Sequence, residues 1–461
     1  MSVPYWVQDA VFYQIFPDRF ANGDPENDPP NIQAWGSPPT LWDFQGGDLR
    51  GIIQKVDYLL DLGVTALYLN PIFLSPSNHR YNTSDYYTID PKLGTRADFD
   101  ALLDVAHANG MRVIIDGVFN HTSRAFFAFA DLLENGEHSP YQGWYHVNRY
   151  PLEAYTPGDA QHYSAWWNFK SLPKLNTDNP RVRKYIMDVA KYWIEAGADG
   201  WRLDVPNEID DDAFWAGFRQ VVKGANPDAY ILGEIWTVDP RWVDNNHFDG
   251  LMHYPVREAL IEVLNGHIKP EQFGDKVEGL FDAYPEANVK AMYVPLGSHD
   301  TKRIRQKLGG DLAKAKLAFL YQFAYPGAPA IYYGDEVGVD GGKDPDCRRA
   351  FPWNKKDWQG DLRIWVQSLI ALRKTLPALR RGKYQRIHAG EKSYAFARTL
   401  GSEKVLVIMN LSNEKQTLRI PVDTLWHDTY EARNFFNYQK VGVRDGHLEL
   451  TLDAWSGAWL Q

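Results

Sequence analysis

Short apolar runs alternate with stretches of helical spacing from the first residues onward. The runs are 10–16 (AVFYQIF), 66–73 (ALYLNPIF), 112–120 (RVIIDGVFN), 200–205 (GWRLDV), 230–236 (YILGEIW), 248–254 (FDGLMHY), 292–297 (MYVPLG) and 329–336 (PAIYYGDE). Each is bounded by Gly, Pro, Asn or Asp, as strands buried on both faces are. Between them, 179–197 places Val182, Tyr185, Ile186, Val189, Trp193 and Ile194 on one helical face. Asn179 suits its N-cap, Pro180 its first turn and Gly197 its stop. Residues 48–63 and 95–110 repeat that spacing. Eight strand–helix units predict an α/β fold, a (β/α)8 TIM barrel. Periodicity alone leaves a doubly wound open sheet as the rival.

Two segments break the alternation. Nearly sixty residues separate the third run from the helix at 179, too many for a simple βα loop. This segment, 121–178, is rich in Tyr, Trp and His (144-WYHVNRYPLEAY-155, 161-QHYSAWWNF-169) and reads as an excursion domain beside the barrel mouth. Beyond about residue 380 the period falls to two, in 393–412 and 415–422, which predicts a C-terminal antiparallel β-sandwich. The expected division is a barrel from 1–120 and 179–378, the excursion at 121–178 and the sandwich at 379–461.

Composition narrows the partners. A net charge of −10 gives no electrostatic reason to hold nucleic acid or an anionic membrane, and suits neutral ligands. The 17 Trp and 26 Tyr supply core, and also flat amphipathic plates on which sugar faces stack. With Cys347 the lone cysteine, no internal disulfide can form, which fits a reducing compartment. The start MSVPYWVQDAVFY lacks a secretory pattern, and no run of about 18 apolar residues occurs, so a cytoplasmic location is expected.

Barrels carry chemistry at the C-terminal ends of their strands. Those ends hold Asp116, Asn120 and His121, then Arg202, Asp204 and Glu208, then Glu234, then His299 and Asp300. Glycoside cleavage needs two carboxyl groups across an oxocarbenium-like transition state. Arg202 and Asp204 are two apart on one strand, so both point into the barrel, where the guanidinium favours an ionised, nucleophilic Asp204. Glu234 stands beside Ile235 and Trp236, a setting that raises a carboxyl pKa as a general acid requires. Asp300 with His299 suits charge stabilisation and sugar hydroxyls.

These strings resemble the α-amylase family. DGVFNH (116–121), GWRLDVPNE (200–208), GEIW (233–236) and GSHD (297–300) are similar to its four sequence regions in order and spacing, and LPKLN (172–176) to its fifth. The resemblance implies Asp204 as nucleophile, Glu234 as acid/base and Asp300 as transition-state stabiliser. It also implies sugar contacts from Arg202, His121 and His299, a stacking Tyr81 with His79 beside it in 79-HRYNTSDYY-87, and a substrate contact at Trp236. LPKLN is close to the MPKLN of cyclomaltodextrinases, neopullulanases and maltogenic amylases. Pro206 stands where their LDVANE has alanine, on the acceptor side. The substrates so implied are maltodextrins, pullulan or branched maltooligosaccharides, cleaved at α-1,4 or α-1,6 bonds. A glucosyltransferase or isomerase on the same barrel shares the acids, and a non-catalytic glucan-binding barrel is the third reading.

Relatives place a further β-sandwich before the barrel, where it roofs the cleft in a swapped dimer. This sequence opens at the first barrel strand, so neither feature is carried over, and a homodimer through other surfaces stays open. The loop 29–42, with Trp35 and Trp42, is expected to lengthen the groove, favouring longer chains over cyclodextrins. The segment 22-NGDPEND-28 with 45-QGGD-48 offers Asn22, Asp24, Asn27, Asp28, Gly46 and Asp48 to a structural Ca²⁺, and resembles the family's calcium loop. The same residue types also build an ordinary turn. The chemistry itself calls for no cofactor.

Overall fold

The computed structural model of the protein describes residues 3–461. All eight apolar runs fold as parallel strands of one sheet. They are β1 (Phe12–Ile15), β2 (Ala66–Leu69), β3 (Arg112–Gly117), β4 (Gly200–Leu203), β5 (Tyr230–Gly233), β6 (Gly250–Leu251), β7 (Tyr293–Pro295) and β8 (Ala328–Tyr332). Spatial order is β6-β5-β4-β3-β2-β1-β8-β7. One parallel bridge, Met252 to Tyr293, joins the two edges, so the sheet closes and the open-sheet alternative is excluded. At this seam the backbone N–H of His253 donates to Tyr293 O, and the Tyr230 hydroxyl donates to Ala291 O.

The two faces of each strand serve different cores. Trp201 and Leu203 of β4 pack outward among the helices, while Phe12, Tyr68, Ile114, Tyr230, Leu232 and Tyr293 fill the lumen. The expected helix at 179–197 runs Pro180–Glu195, with the Asn179 side chain accepting from the Arg181 N–H. Thr95 and Asp98 close a capping box on Arg96–Ala108. The stretch 48–63 forms two helices rather than one, Leu49–Gln54 and Val56–Leu62, because Lys55 leaves the helical region at φ −104°, ψ 10°. Leu49, Ile52, Val56, Leu59 and Leu62 are all buried, so the break keeps both pieces on the core.

Residues 121–178 hold a helix, Phe127–Asn135, and isolated bridges that include Ala165–Pro173 and His121–Lys174. The C-terminal part is two four-stranded antiparallel sheets. Strands β9 (Lys383–Ala389), β10 (Ser393–Leu400), β11 (Glu403–Asn410) and β16 (Gly457–Leu460) form one. Strands β12 (Gln416–Pro421), β13 (Glu431–Arg433), β14 (Lys440–Arg444) and β15 (His447–Leu452) form the other. Leu406, Ile408, Ile420, Leu448 and Leu450 fill the space between them. No helix among the described residues is long and apolar enough to cross a membrane.

The two-residue β6 is pinned by charge. Asp249, fully buried just before it, accepts from Arg219 (2.9 Å), Lys223 (2.7 Å) and the Ile231 N–H of β5 (2.9 Å). Asp249→Ala leaves the buried Lys223 ammonium without its carboxylate. Breaking a buried pair this way costs about 3–5 kcal/mol. The expected result is a melting temperature several degrees lower; an unchanged melt would show that Asp249 carries no such load.

Candidate active site

Parallel register brings the chemistry to one level. Asp116 of β3 lies opposite Arg202 of β4, which lies opposite Leu232 of β5. Arg202 is fully buried. Its Nη1 donates to Asp116 (2.9 and 3.2 Å) and to Asp204 (3.0 Å). Its Nη2 lies 2.7 Å from Glu234 Oε1 but is aimed off line, and makes no directed hydrogen bond. Glu234 Oε2 accepts instead from the Val205 N–H (3.0 Å). Val205 reaches it from a left-handed conformation (φ 34°), strained for a β-branched residue.

The other half of the site is a neutral network. Gln14 Nε2 donates to His299 Nδ1 (2.9 Å), which places the imidazole proton on Nε2. That nitrogen faces the Tyr81 hydroxyl oxygen (2.6 Å) and Asp300 Oδ2 (3.0 Å). The Tyr81 hydroxyl donates to Asp116 (2.8 Å), as does that of Tyr68 (2.6 Å), and Asn70 donates to Tyr81 (2.9 Å). Tyr81 lies parallel to His299 (centroids 5.1 Å, 3°), and the His79 ring is also near it (6.1 Å, 21°). His121 Nε2 contacts Tyr81 O (3.0 Å). Arg348 donates to Asp300 Oδ1 (3.2 Å) and to His299 O (2.9 Å), and pairs with Asp344 (3.0 Å). Beyond Glu234, Trp236 lies flat on Tyr254 (3.8 Å, 2°) with 45% of its surface exposed.

The charge states follow from this geometry. Burial pushes the carboxyls of Asp116, Asp204 and Glu234 up, Glu234 to about 7, and Arg202 opposes the shift in each. So many carboxylates cannot all ionise around one guanidinium. The directed bonds of Arg202 favour charge on Asp116 and Asp204, so the retained proton falls to Glu234. Desolvation raises Asp300, but His299, Arg348 and Arg202 outweigh it and hold that carboxyl below its usual range. Its side chain is 34% exposed, so solvent screens part of this field. Burial pushes His79 and His299 down to about 3 and His121 to about 4, which leaves all three uncharged near neutral pH.

The matching families agree with this geometry. Residues 14–371 match the family described as Alpha amylase, catalytic domain, and 394–457 match the Alpha-amylase SusG C-terminal domain. The chain belongs to the α-amylase family. It is a glycoside hydrolase of that family, acting on α-glucan oligosaccharides. Neopullulanase 2 of Thermoactinomyces vulgaris is 43% identical over 461 residues, covering 99% of this chain and 78% of that one. The cyclic alpha-maltosyl-(1→6)-maltose hydrolase of Arthrobacter globiformis superposes with a TM-score of 0.91 at 37% identity, covering 100% of both chains. The debranching enzyme of Nostoc punctiforme superposes at 0.90 with 41% identity, covering 100% and 99%.

All nine α-amylase-family residues expected from the motifs gather at this mouth. Gln14, Tyr68, Asn70 and Arg348 also take part and were not anticipated. Gln14 and Asn70 carried a usable signal, as polar residues in or beside apolar strand strings. Arg348 lies sixteen residues past β8 in an irregular segment and had none.

The expected calcium residues meet at one place with different roles. Asp48 is occupied by the N–H groups of Gly23, Asp24 and Gly51 and by the Asn27 amide. Asp24 caps a 3-10 turn and pairs with Arg50 (2.7 Å), so its carboxylate faces away, drawn by that guanidinium. The Oδ1 atoms of Asn22 and Asn27 are buried with no partner. A Cβ on Gly46 would collide with Asp28 and Asn22, so these three converge. No three His, Cys, Asp or Glu side chains among the described residues gather around a metal position. Unpartnered amide oxygens beside the Asp28 carboxylate, whose two oxygens accept from the Asn22 amide nitrogen (2.9 and 3.0 Å), make a hard oxygen set that fits Ca²⁺.

Proposed function

We propose that this chain is a retaining hydrolase of α-glucosidic bonds in maltodextrins, pullulan or branched maltooligosaccharides. Asp204 attacks C1 of the sugar while Glu234 gives its proton to the departing glycosidic oxygen. The C1–O bond breaks and a glycosyl ester forms on Asp204. Water then attacks C1, Glu234 takes its proton, and the ester bond to Asp204 is released. Asp300 and His299 hold sugar hydroxyls, Tyr81 stacks beneath the ring, and Arg202 keeps Asp204 charged. The observation that carries this reading is the split in Arg202's bonding, directed to Asp204 and off line to Glu234. Transfer to a second sugar uses the same acids with a hydroxyl in place of water.

Longer chains suit the mouth. Trp42 is 85% exposed at the tip of its loop. Asn78, next to His79, donates to Thr40 O and Asp43 O, and Arg19 pairs with Asp43, which holds the loop at the mouth. Trp35 is tied by its indole N–H to Phe351 O. A compact ring such as cyclodextrin cannot extend onto Trp42. The relatives named for α-maltosyl-(1→6)-maltose hydrolysis and for debranching support α-1,6 cleavage. We place the enzyme in the cytoplasm, in keeping with its lone, buried, unpaired Cys347.

Three measurements test this reading. Glu234→Gln is expected to cut kcat/KM on maltodextrins by roughly 10²–10⁴-fold, and less on aryl glycosides whose leaving group needs no proton. Wild-type kcat/KM is expected to fall as pH rises through about 7, where Glu234 loses its proton, and the variant to lack that limb. Asp204→Asn is expected to lose several orders of magnitude on both substrates; near-normal turnover would overturn the assignment.

We also propose that Asn22, Asn27, Asp28 and Gly46 hold a structural Ca²⁺. Chelator titration is then expected to lower the melting temperature, and calcium to restore it. No thermal shift, with no metal by elemental analysis, would remove the site.

Across a maltooligosaccharide series, kcat/KM is expected to rise over several glucose units and to be low on β-cyclodextrin. A maximum at maltotriose with rapid cyclodextrin cleavage would refute the extended groove.

A further inference from the structure

Polar side chains are costly inside a barrel, yet a connected chain of them runs through the lumen to the site. Gln14 of β1 is fully buried and lies in register between Tyr68 of β2 and Tyr332 of β8. Its Oε1 accepts from the Tyr293 hydroxyl of β7 (3.5 Å). Its Nε2 donates twice, to Asn70 Oδ1 (3.0 Å) and to His299 Nδ1 (2.9 Å). Asn70 in turn donates its amide protons to the hydroxyls of Tyr81 (2.9 Å) and Tyr68 (3.4 Å). Both phenols donate to Asp116 Oδ2.

The sense of every bond in this chain is dictated from its far end. An ionised carboxylate only accepts. Each phenol therefore spends its one proton on Asp116, and its oxygen can only accept from Asn70. That turns the Asn70 nitrogen toward the tyrosines and its oxygen toward Gln14, so Gln14 must present its nitrogen. The second proton on that nitrogen is aimed at His299 Nδ1. Burial keeps the imidazole uncharged, so its single proton is left on Nε2. The opposite tautomer would set a lone pair 3.0 Å from Asp300 Oδ2. It would also compete with Asp116 for the Tyr81 proton, across 2.6 Å. If Gln14 only filled space, an apolar side chain would serve without needing partners, as Phe12 does two residues earlier in the same lumen.

We propose that Gln14 is a positioning residue for the reaction: its amide nitrogen fixes His299 as an Nε2 donor toward Asp300 and the sugar and, through Asn70, holds the Tyr81 proton on Asp116. This rests on the roles given to His299, Tyr81 and Asp300 above. Gln14 acts through these neighbours. One buried amide thus sets the direction of hydrogen bonding on the side of the site opposite Glu234.

The test reads the tautomer and the turnover separately. Histidine is labelled with ¹⁵N, and the His299 signals are assigned by their loss in His299→Gln. In the wild-type enzyme near neutral pH, His299 is expected as the Nε2–H tautomer; an Nδ1–H tautomer or an imidazolium there would overturn the proposal without any variant. Gln14→Glu keeps the shape but accepts where the amide donates. It is expected to move the ring proton to Nδ1 and to cut kcat on maltodextrins roughly 10²–10³-fold, with KM changed much less, as for the loss of one preorganised donor. Asn70→Leu severs only the branch to Tyr81 and is expected to keep the wild-type His299 tautomer. Should Gln14→Glu fail to fold, Gln14→Met removes the donor at similar volume, and His299 is then expected to populate both tautomers. An unmoved ring proton in these Gln14 variants, or a loss of kcat no larger than the loss of folded protein, would make Gln14 a core filler. A moved proton with kcat unchanged would instead overturn the role given to His299 in the reaction, so the two failures are told apart.

Discussion

A single buried guanidinium organises this cleft. Arg202 has no exposed surface, and its side chain reaches carboxylates from three successive strands. A charge so placed is expensive unless it is paired and hydrogen bonded. Here the dependence runs both ways, because Asp116, Asp204 and Glu234 would each hold a proton far more readily without it. Its planar fork offers donors in fixed directions, which a lysine ammonium does not. The arginine can therefore treat neighbouring acids unequally. Asp116, already accepting two phenols, and Asp204 receive directed bonds, and Glu234 receives proximity alone. In the reaction proposed above, that inequality separates the group that attacks from the group that donates.

The remaining groups work by being neutral. An imidazolium at His299 would add a cation beside Arg202 and Arg348, and burial prevents it. As an uncharged donor, His299 can offer one proton to Asp300 while its other nitrogen is occupied by Gln14. Tyr81 is fixed by three partners through one hydroxyl, so its ring plane is set before any sugar arrives. Such prior ordering lowers what substrate binding must fix.

How much of this could be read from the chain depends on the range of each constraint. Strand periodicity is local, so all eight strands and the shared direction of Arg202 and Asp204 were legible. The capping residue Asn179 was legible for the same reason. Gln14 and Asn70 were legible in principle, since a polar residue on a lumen-facing position requires a partner. Arg348 and the Asp24–Arg50 pair were not, because each meets its partner only after irregular segments have folded. The break at Lys55 also escaped, since both half-helices keep the same apolar spacing and only the backbone differs. Within 121–178 no regular strand forms, so period carried nothing there, and length together with composition marked the segment as an excursion beside the barrel mouth.

The barrel is not equally knit around its circumference, and the difference falls across the site. On one side β1, β2, β3 and β4 pair over three or more registered positions, and they carry Gln14, Asn70, Asp116, Arg202 and Asp204. On the other, β5 and β6 pair at two positions and β6 meets β7 through one bridge. Side chains replace the missing ladder there: Asp249 accepts from the β5 backbone, Asn288 donates to Asp249 O, and the Tyr230 hydroxyl reaches Ala291 O. In the reaction proposed above, the well-paired arc carries the attacking Asp204, whose position must hold to a fraction of an ångström, while His299 and Asp300 follow β7 on the other arc. The sparsely paired arc lies beside Trp236 and Tyr254, whose stacked ring faces tolerate displacement. Backbone ladders thus close one arc of the barrel and buried side chains close the other, so the two halves of the mouth are held by different kinds of bond.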